Sequence, residues 1–411
     1  MAYLPVVSLI LLAAIIAVGF VKNINLGILG LAVAGMIGLG TGMSPGEVVA
    51  GWPTQLFVLL LGVTYLFAIL RVNGSLQRIT EHVIWQFRGA PGLLLPVFFT
   101  LSFLLAAAGP GNIAVCAILL PIAFSVMAGS GHNPLLVAAV VIIASNMGGL
   151  SPLAPTGIIA VELARDLGVD IGYQVFYAII VFNIPLLAGY CWVLRRRNAG
   201  AVTADIAKPQ PLQRDQVISL LVLIGVVLAV LVGGLHIGLT ALVGAALLLV
   251  VTAVSERQVI ETVPWGTLIM ISGMAVYTHI LAAVGAIDLL SQFLGALMGP
   301  ATAASLLAVM GGLFSLVSSA SGVAMPTLFP TAPQLAAGLD GVSVETLLAA
   351  IVVGSHAVTL SPISTLGALA LTALPQSAQR RRLFGQLLVL AVAGLGFTAL
   401  LLWIMPWAVG S

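Results

Sequence analysis

The chain has very little charge. Of its 411 residues, only 6% are Asp, Glu, Lys or Arg, whereas 61% are hydrophobic. In soluble proteins about a quarter of the residues are charged, so this composition excludes an ordinary soluble domain and predicts a polytopic membrane protein. Cysteine is also scarce. Cys116 and Cys191 both lie in apolar stretches, which fits small buried side chains and provides neither a disulfide framework nor a metal cluster.

Charge is missing from the middle of every predicted membrane span. Carriers driven by protons, and cation exchangers, usually keep a carboxylate within the membrane, and here no carboxylate lies in the middle of a span. The absence leaves hydroxyls, amides and backbone groups as the polar chemistry of the spans. No nucleic-acid partner is expected from such a chain, whereas a lipid bilayer is.

Apolar runs of about 20 residues predict an all-α protein with ten spans, two helical hairpins and two interfacial helices. The interfacial helices are expected at about 73–89 and 286–297. The hairpins, at about 91–128 and 299–339, have polar tips with the sequences GPGN (109–112) and SSASG (318–322). The spans are expected at about 3–21, 25–43, 54–72, 134–164, 172–194, 217–234, 237–254, 264–283, 343–373 and from Arg382 to about 409. The first run lacks the basic region and cleavage site of a signal peptide, so it is predicted to be a retained span.

One span carries an interruption that a simple membrane helix would not have. Residues 145–157 read SNMGGLSPLAPTG, with two prolines and three glycines. Proline removes a backbone donor and breaks the helical ladder, and hydrocarbon offers the freed groups no partner. Such a break is tolerated where it is buried in protein or lines a polar cavity. In carriers, broken helices form the ion and substrate site near the middle of the membrane.

A second interruption, GSHAVTLSPISTLG at 354–367, matches the first. The shared Leu-Ser-Pro of residues 150–152 and 360–362 gives an offset of 210 residues. Spans, interfacial helix, hairpin and broken span follow the same order in both parts, which predicts two repeats, 1–194 and 217–411, joined by a linker at 195–216. Each repeat has five spans, one of them broken, plus a re-entrant hairpin. A repeat crosses the membrane five times if its hairpin re-enters and seven times if each hairpin arm crosses fully. Both numbers are odd, so the repeats are predicted to be inverted.

Basic residues support this topology. With the linker placed inside, one basic residue, Arg165, falls outside and thirteen fall inside. Both termini are then extracytoplasmic and the linker is cytoplasmic. The thirteen are Lys22, Arg71, Arg78, Arg88, Arg195, Arg196, Arg197, Lys208, Arg214, Arg257, Arg380, Arg381 and Arg382.

The tips and the breaks provide the candidate site. Hydroxyls, amides and the carbonyl ends of half-helices suit Na⁺, and the N-terminal ends of half-helices suit a carboxylate. The candidate substrate-binding residues are Asn112, Ser145, Asn146, Thr156, Ser319, Ser321, Ser361 and Thr365. The candidate Na⁺ ligands are Gly109, Asn112, Asn146, Gly149, Ser318, Ser321, Ser355 and Thr359.

Other roles stay open for several of these residues. Asn112 would also cap the second arm of its hairpin, small residues at a tip also let helices pack closely, and hydroxyls at the breaks also satisfy freed backbone groups. His356 is the titratable group next to a break, where it is either a hydrogen-bonding group or a proton relay. Arg71, near the end of a span, is interpreted as a cytoplasmic anchor rather than a substrate ligand.

The leading function is secondary active transport of a small carboxylate, coupled to Na⁺. The alternative within transport is a proton-coupled carrier or an exporter of another small anion, in which His356 would matter. An intramembrane hydrolase would need an activated nucleophile with a base in reach, and the inverted repeats need no such chemistry, so no enzymatic activity is expected. A passive channel is also an alternative, but channel function does not explain why two hairpins lie at matched breaks.

Three segments carry a family resemblance. They are GWPTQLFVLLLGVTYLFAILRVNGSL (51–76), AAAGPGNIAVCAILLPIAFS (106–125) and SNMGGLSPLAPTG (145–157). They resemble the bacterial malonate/dicarboxylate carrier family of the ion transporter superfamily, with the divalent-anion:sodium symporters as more distant relatives. The likeness covers roughly residues 1–195, and the second part resembles the superfamily through its hairpin and broken span.

The resemblance implies a homodimer in the bacterial inner membrane, in which a mobile transport domain moves against a fixed scaffold in an elevator manner. It also implies that a dicarboxylate or tricarboxylate such as malonate, together with Na⁺, binds between the hairpin tips and the breaks. The symporters carry Ser-Asn-Thr at both tips. The first tip of this chain keeps only Asn112 of that motif, and the second tip has neither Asn nor Thr.

Overall fold

The computed structural model describes residues 3–128, 132–194, 206–374 and 377–405, and every regular element in these ranges is helical. Polar caps fix where several helices begin. The side-chain oxygens of Asn25, Asn133 and Ser343 accept hydrogen bonds from the first turns of the helices that follow them, at 2.9, 3.0 and 3.2 Å. The all-α architecture predicted from the sequence is therefore confirmed.

The part of the chain before the linker consists of ten described helices. They are α1 (Leu4–Lys22), α2 (Leu26–Gly40), α3 (Pro45–Val49), α4 (Thr54–Val72), α5 (Ser75–Gln86), α6 (Leu94–Ala107), α7 (Gly111–Ala128), α8 (Pro134–Gly149), α9 (Pro155–Arg165) and α10 (Gln174–Leu194). A turn of 3₁₀-helix at Pro91–Leu93 precedes α6.

The part after the linker repeats this order of elements. Its α-helices are α11 (Arg214–Leu231), α12 (Ile237–Val251), α13 (Glu256–Thr262), α14 (Trp265–Ala283), α15 (Ala286–Leu297), α16 (Ala303–Leu316), α17 (Met325–Leu328), α18 (Ala332–Ala337), α19 (Val344–Ala357), α20 (Thr365–Ala373) and α21 (Ser377–Ile404). The second arm of its hairpin is irregular, with a π-helical turn at Ala320–Ala324 and a 3₁₀ turn at Phe329–Thr331 around α17.

The two parts are interlocked through glycine contacts. Helix α2 packs against α14, and helix α12 packs against α4. A Cβ atom on Gly27 would overlap the backbone of α14, and one on Gly273 would overlap the backbone of Gly27. In the same way, a Cβ on Gly62 would overlap the carbonyl of Gly238. Both pairs are equivalent at an offset of 211 residues, so each part makes the same close helix crossing with the other.

Membrane spans are supported by length and composition. Among the described residues, six helices are long and apolar enough to cross a bilayer, namely α1, α4, α10, α11, α14 and α21, and the bent pair 303–316 and 320–337 would be a seventh. The chain turns by 117° within that pair, as a hairpin does. Helices α2 and α12 have 15 residues each and rise about 22 Å, less than the roughly 30 Å of hydrocarbon. The count of five spans per repeat stays a prediction.

Several local expectations differ from the structure. The connection between the spans predicted at 25–43 and 54–72, for which no helix was predicted, forms α3, in which Ser44 and Glu47 make a reciprocal capping box. Arg380, Arg381 and Arg382 belong to α21, which begins before the last apolar run. The expected linker is shorter at its end, because α11 already begins at Arg214. Its residues 195–205, including its first three arginines, lie outside the described residues.

The broken spans occupy the centre of the molecule. In α8 every residue from Leu135 to Gly149 is buried, and so is every residue of α19 from Leu347 to Ala357. Helix α6 packs on α8, and α16 packs on α19. Glycine allows both contacts: a Cβ on Gly148 would overlap the carbonyl of Phe103, and one on Gly354 would overlap the backbone of Ala308. The polar residues at the ends of α8 and α19 are thereby held inside the protein.

Candidate functional site

Both breaks have the same backbone construction. In each, the chain leaves one helix, makes a tight turn through Leu-Ser-Pro, and starts the next helix after five connecting residues in the first break and seven in the second. The glycine near the start of the second helix is required by packing. A Cβ on Gly157 would overlap the carbonyl oxygen of Ser151, and one on Gly367 would overlap the carbonyl oxygen of Ser361. The two interruptions predicted from the sequence are therefore present and alike in structure.

Each hairpin tip contacts one long helix, the first tip α4 and the second tip α14. Gly109 and Gly111 have φ values of +134° and +77°, which favour glycine, and a Cβ on Gly109 would overlap the ring of Phe67 in α4. At the second tip, Oγ of Ser319 accepts a hydrogen bond from the amide of Gly322 at 3.2 Å. A Cβ on Gly322 would overlap the side chain of Met270 in α14. Each tip is thus seated on one long central helix.

A cavity of about 150 Å³ lies between the tips, the breaks, α4 and α14. Eight of the predicted site residues line it: Asn112, Thr156, Ser318, Ser319, Ser321, His356, Thr359 and Thr365. The two tips and the two breaks, which are far apart in the sequence, therefore meet around one space. Six predicted residues are not part of this lining, namely Gly109, Ser145, Asn146, Gly149, Ser355 and Ser361.

Three serines outside the lining have partners within the protein. Oγ of Ser145 donates to the carbonyl of Ile142 at 3.0 Å and lies 2.9 Å from Sγ of Cys116. Oγ of Ser355 donates to the carbonyl of Ile351 at 2.6 Å. Oγ of Ser361 donates to the carbonyl of Leu316 at 3.0 Å, which ties the second break to the first arm of its hairpin. In this structure these three hydroxyls satisfy buried polar groups.

Asn112 and Asn146 connect the first tip to both breaks. Nδ2 of Asn112 donates to Oδ1 of Asn146 at 3.3 Å, and Nδ2 of Asn146 donates to the carbonyl of His356 at 3.4 Å. That carbonyl also accepts from Oγ1 of Thr359 at 2.9 Å. A Cβ on Gly149 would lie 3.2 Å from Cβ of Asn112, so the end of α8 packs directly on the tip. Asn146 and Gly149 thus lie behind the cavity wall and hold Asn112.

His356 lines the cavity with one ring nitrogen already engaged. Its Nδ1 lies 2.7 Å from the carbonyl oxygen of Val352. A carbonyl oxygen accepts but does not donate, so this contact requires a proton on Nδ1 and leaves Nε2 as the nitrogen available to a ligand.

Most of the cavity wall that α4 and α14 provide was not among the site residues predicted from the sequence. Thr64 and Arg71 of α4 and Thr267 of α14 line the cavity, as do Ser315 and Ser364. The lining positions of α4 are Leu60, Thr64, Phe67, Ala68 and Arg71, the spacing of one helix face. The signal in the sequence was the pair of polar residues Thr64 and Arg71, seven residues apart within an apolar span. The sequence does not show which elements this face of α4 contacts.

The lining of the cavity carries a net positive formal charge. Among the described residues that line the cavity, Arg71 carries the one formal charge, and no Asp, Glu or Lys is among them. The rest of the polar wall consists of hydroxyls, one amide and His356. Such a wall favours an anion, because Arg71 attracts negative charge and no carboxylate of the lining repels it.

The cavity lies towards the end of the molecule where the linker joins α11. Its wall uses the last turns of α4 and the first turns of α14. At the end of α4, Nδ2 of Asn73 donates to Oγ of Ser219 at 2.6 Å, and Nε2 of Gln216 donates to the carbonyl of Asn73 at 3.0 Å. Arg71 therefore lies at the same end as the start of α11, which we call the linker end.

Comparisons with known proteins agree with this architecture. Residues 3–149 match the family model of the dicarboxylate carrier protein MatC N-terminus. Two proteins of Mycobacterium tuberculosis are similar in sequence: the uncharacterized transporter Rv2685, 27% identical over 71% of this chain and 71% of that protein, and the uncharacterized transporter Rv2684, 26% identical over 69% and 68%. Among solved structures, the Alcanivorax borkumensis YdaH transporter has a TM-score of 0.59 over 88% of this chain and 86% of its own, at 17% identity.

The YdaH likeness supports the fold alone, whereas the family model and the sequence relatives bear on function. The predicted resemblance to the malonate/dicarboxylate carriers is confirmed over the residues that the family model matches. Together these findings identify the chain as a polytopic membrane transporter that resembles the dicarboxylate carrier family.

Proposed function

We propose that the protein is a secondary active transporter of small carboxylates, with the substrate bound in the cavity between the hairpin tips and the breaks. The observation that carries this proposal is the lining itself, which has Arg71 as its single formal charge and no acidic residue. Hydroxyls of Thr156, Ser319 and Thr365 would donate hydrogen bonds to carboxylate oxygens. The match of residues 3–149 to a dicarboxylate carrier model supports the same substrate class.

The size of the cavity limits the substrate. A volume of about 150 Å³ is similar to that of an engineered protein cavity which binds benzene, at roughly 150 Å³, and it is smaller than a pocket for a drug-sized ligand. A dicarboxylate as small as malonate fits this size. The lining would compensate part of its charge through Arg71, and a co-transported cation would compensate the rest.

Na⁺ is the proposed coupling ion. Sodium suits hydroxyl, amide and carbonyl oxygens, and the tips and breaks provide these groups without a carboxylate. Asn112, Ser318, Ser321 and Thr359 line the cavity, and the carbonyl ends of α8 and α19 lie next to it. Among the described residues, no cluster of three or more His, Cys, Asp or Glu groups forms a transition-metal site.

The proposed transport cycle is alternating access between inverted repeats. The reciprocal crossings at Gly27–Gly273 and Gly62–Gly238 support a rigid framework around α4 and α14. The hairpins and broken helices would move against this framework as the mobile domain of an elevator, in a homodimer in the inner membrane. The linker would face the cytoplasm and both termini the opposite side, as the distribution of basic residues indicates.

Proton coupling is the second candidate, and one observation favours it. His356 lines the cavity and keeps Nε2 available, so it would be able to take up a proton together with the substrate. In that case the pH gradient, rather than the Na⁺ gradient, would drive accumulation.

Ligand binding to purified protein tests the proposed site. We expect malonate to raise the midpoint of thermal unfolding in NaCl and to do so less in choline chloride. Malonamide, a neutral analogue of similar size, is the matched control and should have little effect. Equal stabilisation by malonate and malonamide would contradict an anion site, and equal effects in the two salts would contradict sodium coupling.

A further inference from the structure

We propose that Arg71 is a one-sided substrate contact: it holds a carboxylate when the site opens towards the linker end, and the opposite opening has no equivalent charge. The inference rests on the proposed function. It attributes to Arg71 a higher affinity for substrate at the linker end of the carrier than at the opposite end.

The surroundings of Arg71 favour a ligand rather than a partner within the protein. Its side chain is exposed and lines the cavity. Three other described arginines are paired: Arg78, Arg165 and Arg257 form salt bridges with Glu81, Glu162 and Glu261. No hydrogen bond or salt bridge to the Arg71 side chain is present in the described part of the chain. An unpaired guanidinium that faces a cavity is well suited to bind a carboxylate with two parallel hydrogen bonds.

A purely structural role does not account for the cavity position. A basic residue in the last turn of a helix interacts favourably with the helix dipole, and Arg71 is the basic residue in the last turn of α4. That interaction, however, operates on any face of the helix. Arg71 lies on the face that also contains Leu60, Thr64 and Phe67, which is the face turned to the hairpin tips.

The repeat makes the contact one-sided. Inverted repeats exchange roles between the two states of a carrier, so the opposite opening would use the positions equivalent to the present wall. Gly62 and Gly273 give an offset of 211 residues, and Tyr65 and Tyr277 give an offset of 212. The equivalent of Arg71 is therefore Ala282 or Ala283, and in either case a methyl group replaces the guanidinium.

The expected consequence is an asymmetry of apparent affinity. A charge-assisted hydrogen bond contributes enough that its loss changes affinity about tenfold or more. We expect this change at the linker face and little change at the other face. The equilibrium gradient would stay the same because the coupling ion sets it. What changes is the substrate concentration at which each face saturates.

Membrane vesicles of opposite orientation test the inference. Labelled malonate uptake is measured in right-side-out and inside-out vesicles from cells that produce the intact chain, Arg71→Gln, Arg71→Lys or Arg257→Gln. Arg257 is the matched control because it is exposed, paired with Glu261 and outside the cavity lining. Labelling of the exposed Lys208 by an impermeant amine reagent identifies the preparation in which the linker end faces the medium.

The inference predicts that Arg71→Gln raises the half-saturating malonate concentration about tenfold at the linker face and less than twofold at the other face. Arg71→Lys should recover part of the affinity, Arg257→Gln should match the unchanged protein, and high ionic strength should reduce the difference. Equal shifts at both faces, or none, would overturn the role of Arg71 while the transport function stands. Absence of malonate uptake by the unchanged protein would instead overturn the proposed function, and the inference with it.

Discussion

Nδ2 of Asn146 lies 3.4 Å from the carbonyl oxygen of His356, and these residues are 210 positions apart. The same offset relates the two Leu-Ser-Pro turns. Under a pseudo-two-fold relation between the repeats, Asn146 and His356 are equivalent residues, and equivalent residues that touch must lie near the axis. The ends of α8 and α19 therefore meet at the centre of the proposed symmetry, beside the cavity.

Asn112 should be needed for transport. Replacement by alanine removes the amide that lines the cavity and donates to Asn146. We expect at least about a tenfold loss of uptake, because one hydrogen bond to a charged ligand is lost, with normal amounts of protein in the membrane. Asn183→Ala is the matched control, since Asn183 is buried in α10 and does not line the cavity. Uptake by Asn112→Ala that equals the control at all substrate concentrations would remove Asn112 from the site.

The break glycines should tolerate no side chain. In Gly367→Ala the new Cβ would overlap the carbonyl oxygen of Ser361, so the turn between α19 and α20 must distort. We expect transport to fall at least tenfold and the melting temperature to decrease. Gly396→Ala in α21, where a Cβ meets no atom within 4 Å, is the control and should behave like the unchanged protein. Similar behaviour of the two variants would show that the break geometry is not required.

His356 should act as a hydrogen-bonding residue. Gln is able to donate a hydrogen bond to the carbonyl of Val352 in place of Nδ1, and it does not titrate. We therefore expect His356→Gln to leave the shape of the pH profile of uptake unchanged between pH 5.5 and 8. After each profile is normalised to its maximal rate, the two proteins should agree within about twofold at each pH, even if the maximal rate of the variant is lower. Loss of the pH response in this variant would favour the proton-coupled candidate.

The native side chain of Ser102 should reduce the free energy of unfolding, so that its replacement by alanine stabilises the protein. Its Oγ is buried in α6 and has no hydrogen-bond partner among the described residues. Removing an unsatisfied buried hydroxyl avoids its desolvation cost, so Ser102→Ala should stabilise the protein by about 1 kcal/mol. The control is Ser145→Ala, because Oγ of Ser145 is hydrogen-bonded and its loss should destabilise. Thermal unfolding in detergent measures both, and a decrease in the melting temperature for Ser102→Ala would contradict this prediction.

Much of the fold was predictable because it depends on local signals. The span at 54–72 and the interfacial helix at 286–297 have the predicted bounds, since charged or turn-forming residues delimit clear apolar runs. The breaks were predictable from proline and glycine. Helix α3 and helix α13 were missed because five and seven residues give too little periodicity to recognise.

The site was predictable only in part, for a physical reason. Helices α8 and α19 are buried on all sides near the breaks, so their sequences give no indication of which residues face the cavity. In the structure Ser145 and Ser355 donate hydrogen bonds to carbonyls of their own helices, and a role at the site stays a prediction for both. The contributions of α4 and α14 depend on long-range packing. Arg71, interpreted from the sequence as an anchor, is recognised as part of the wall only when the hairpin tip is placed opposite it.

The most direct test of sodium-coupled carboxylate transport is concentrative uptake of labelled malonate into proteoliposomes, under an inward Na⁺ gradient, an inward proton gradient and neither. Sodium coupling predicts accumulation above the external concentration with the Na⁺ gradient alone, abolished when an ionophore collapses that gradient. No uptake under any gradient, from protein shown to be folded, would contradict malonate transport, and accumulation driven by protons alone would contradict sodium coupling.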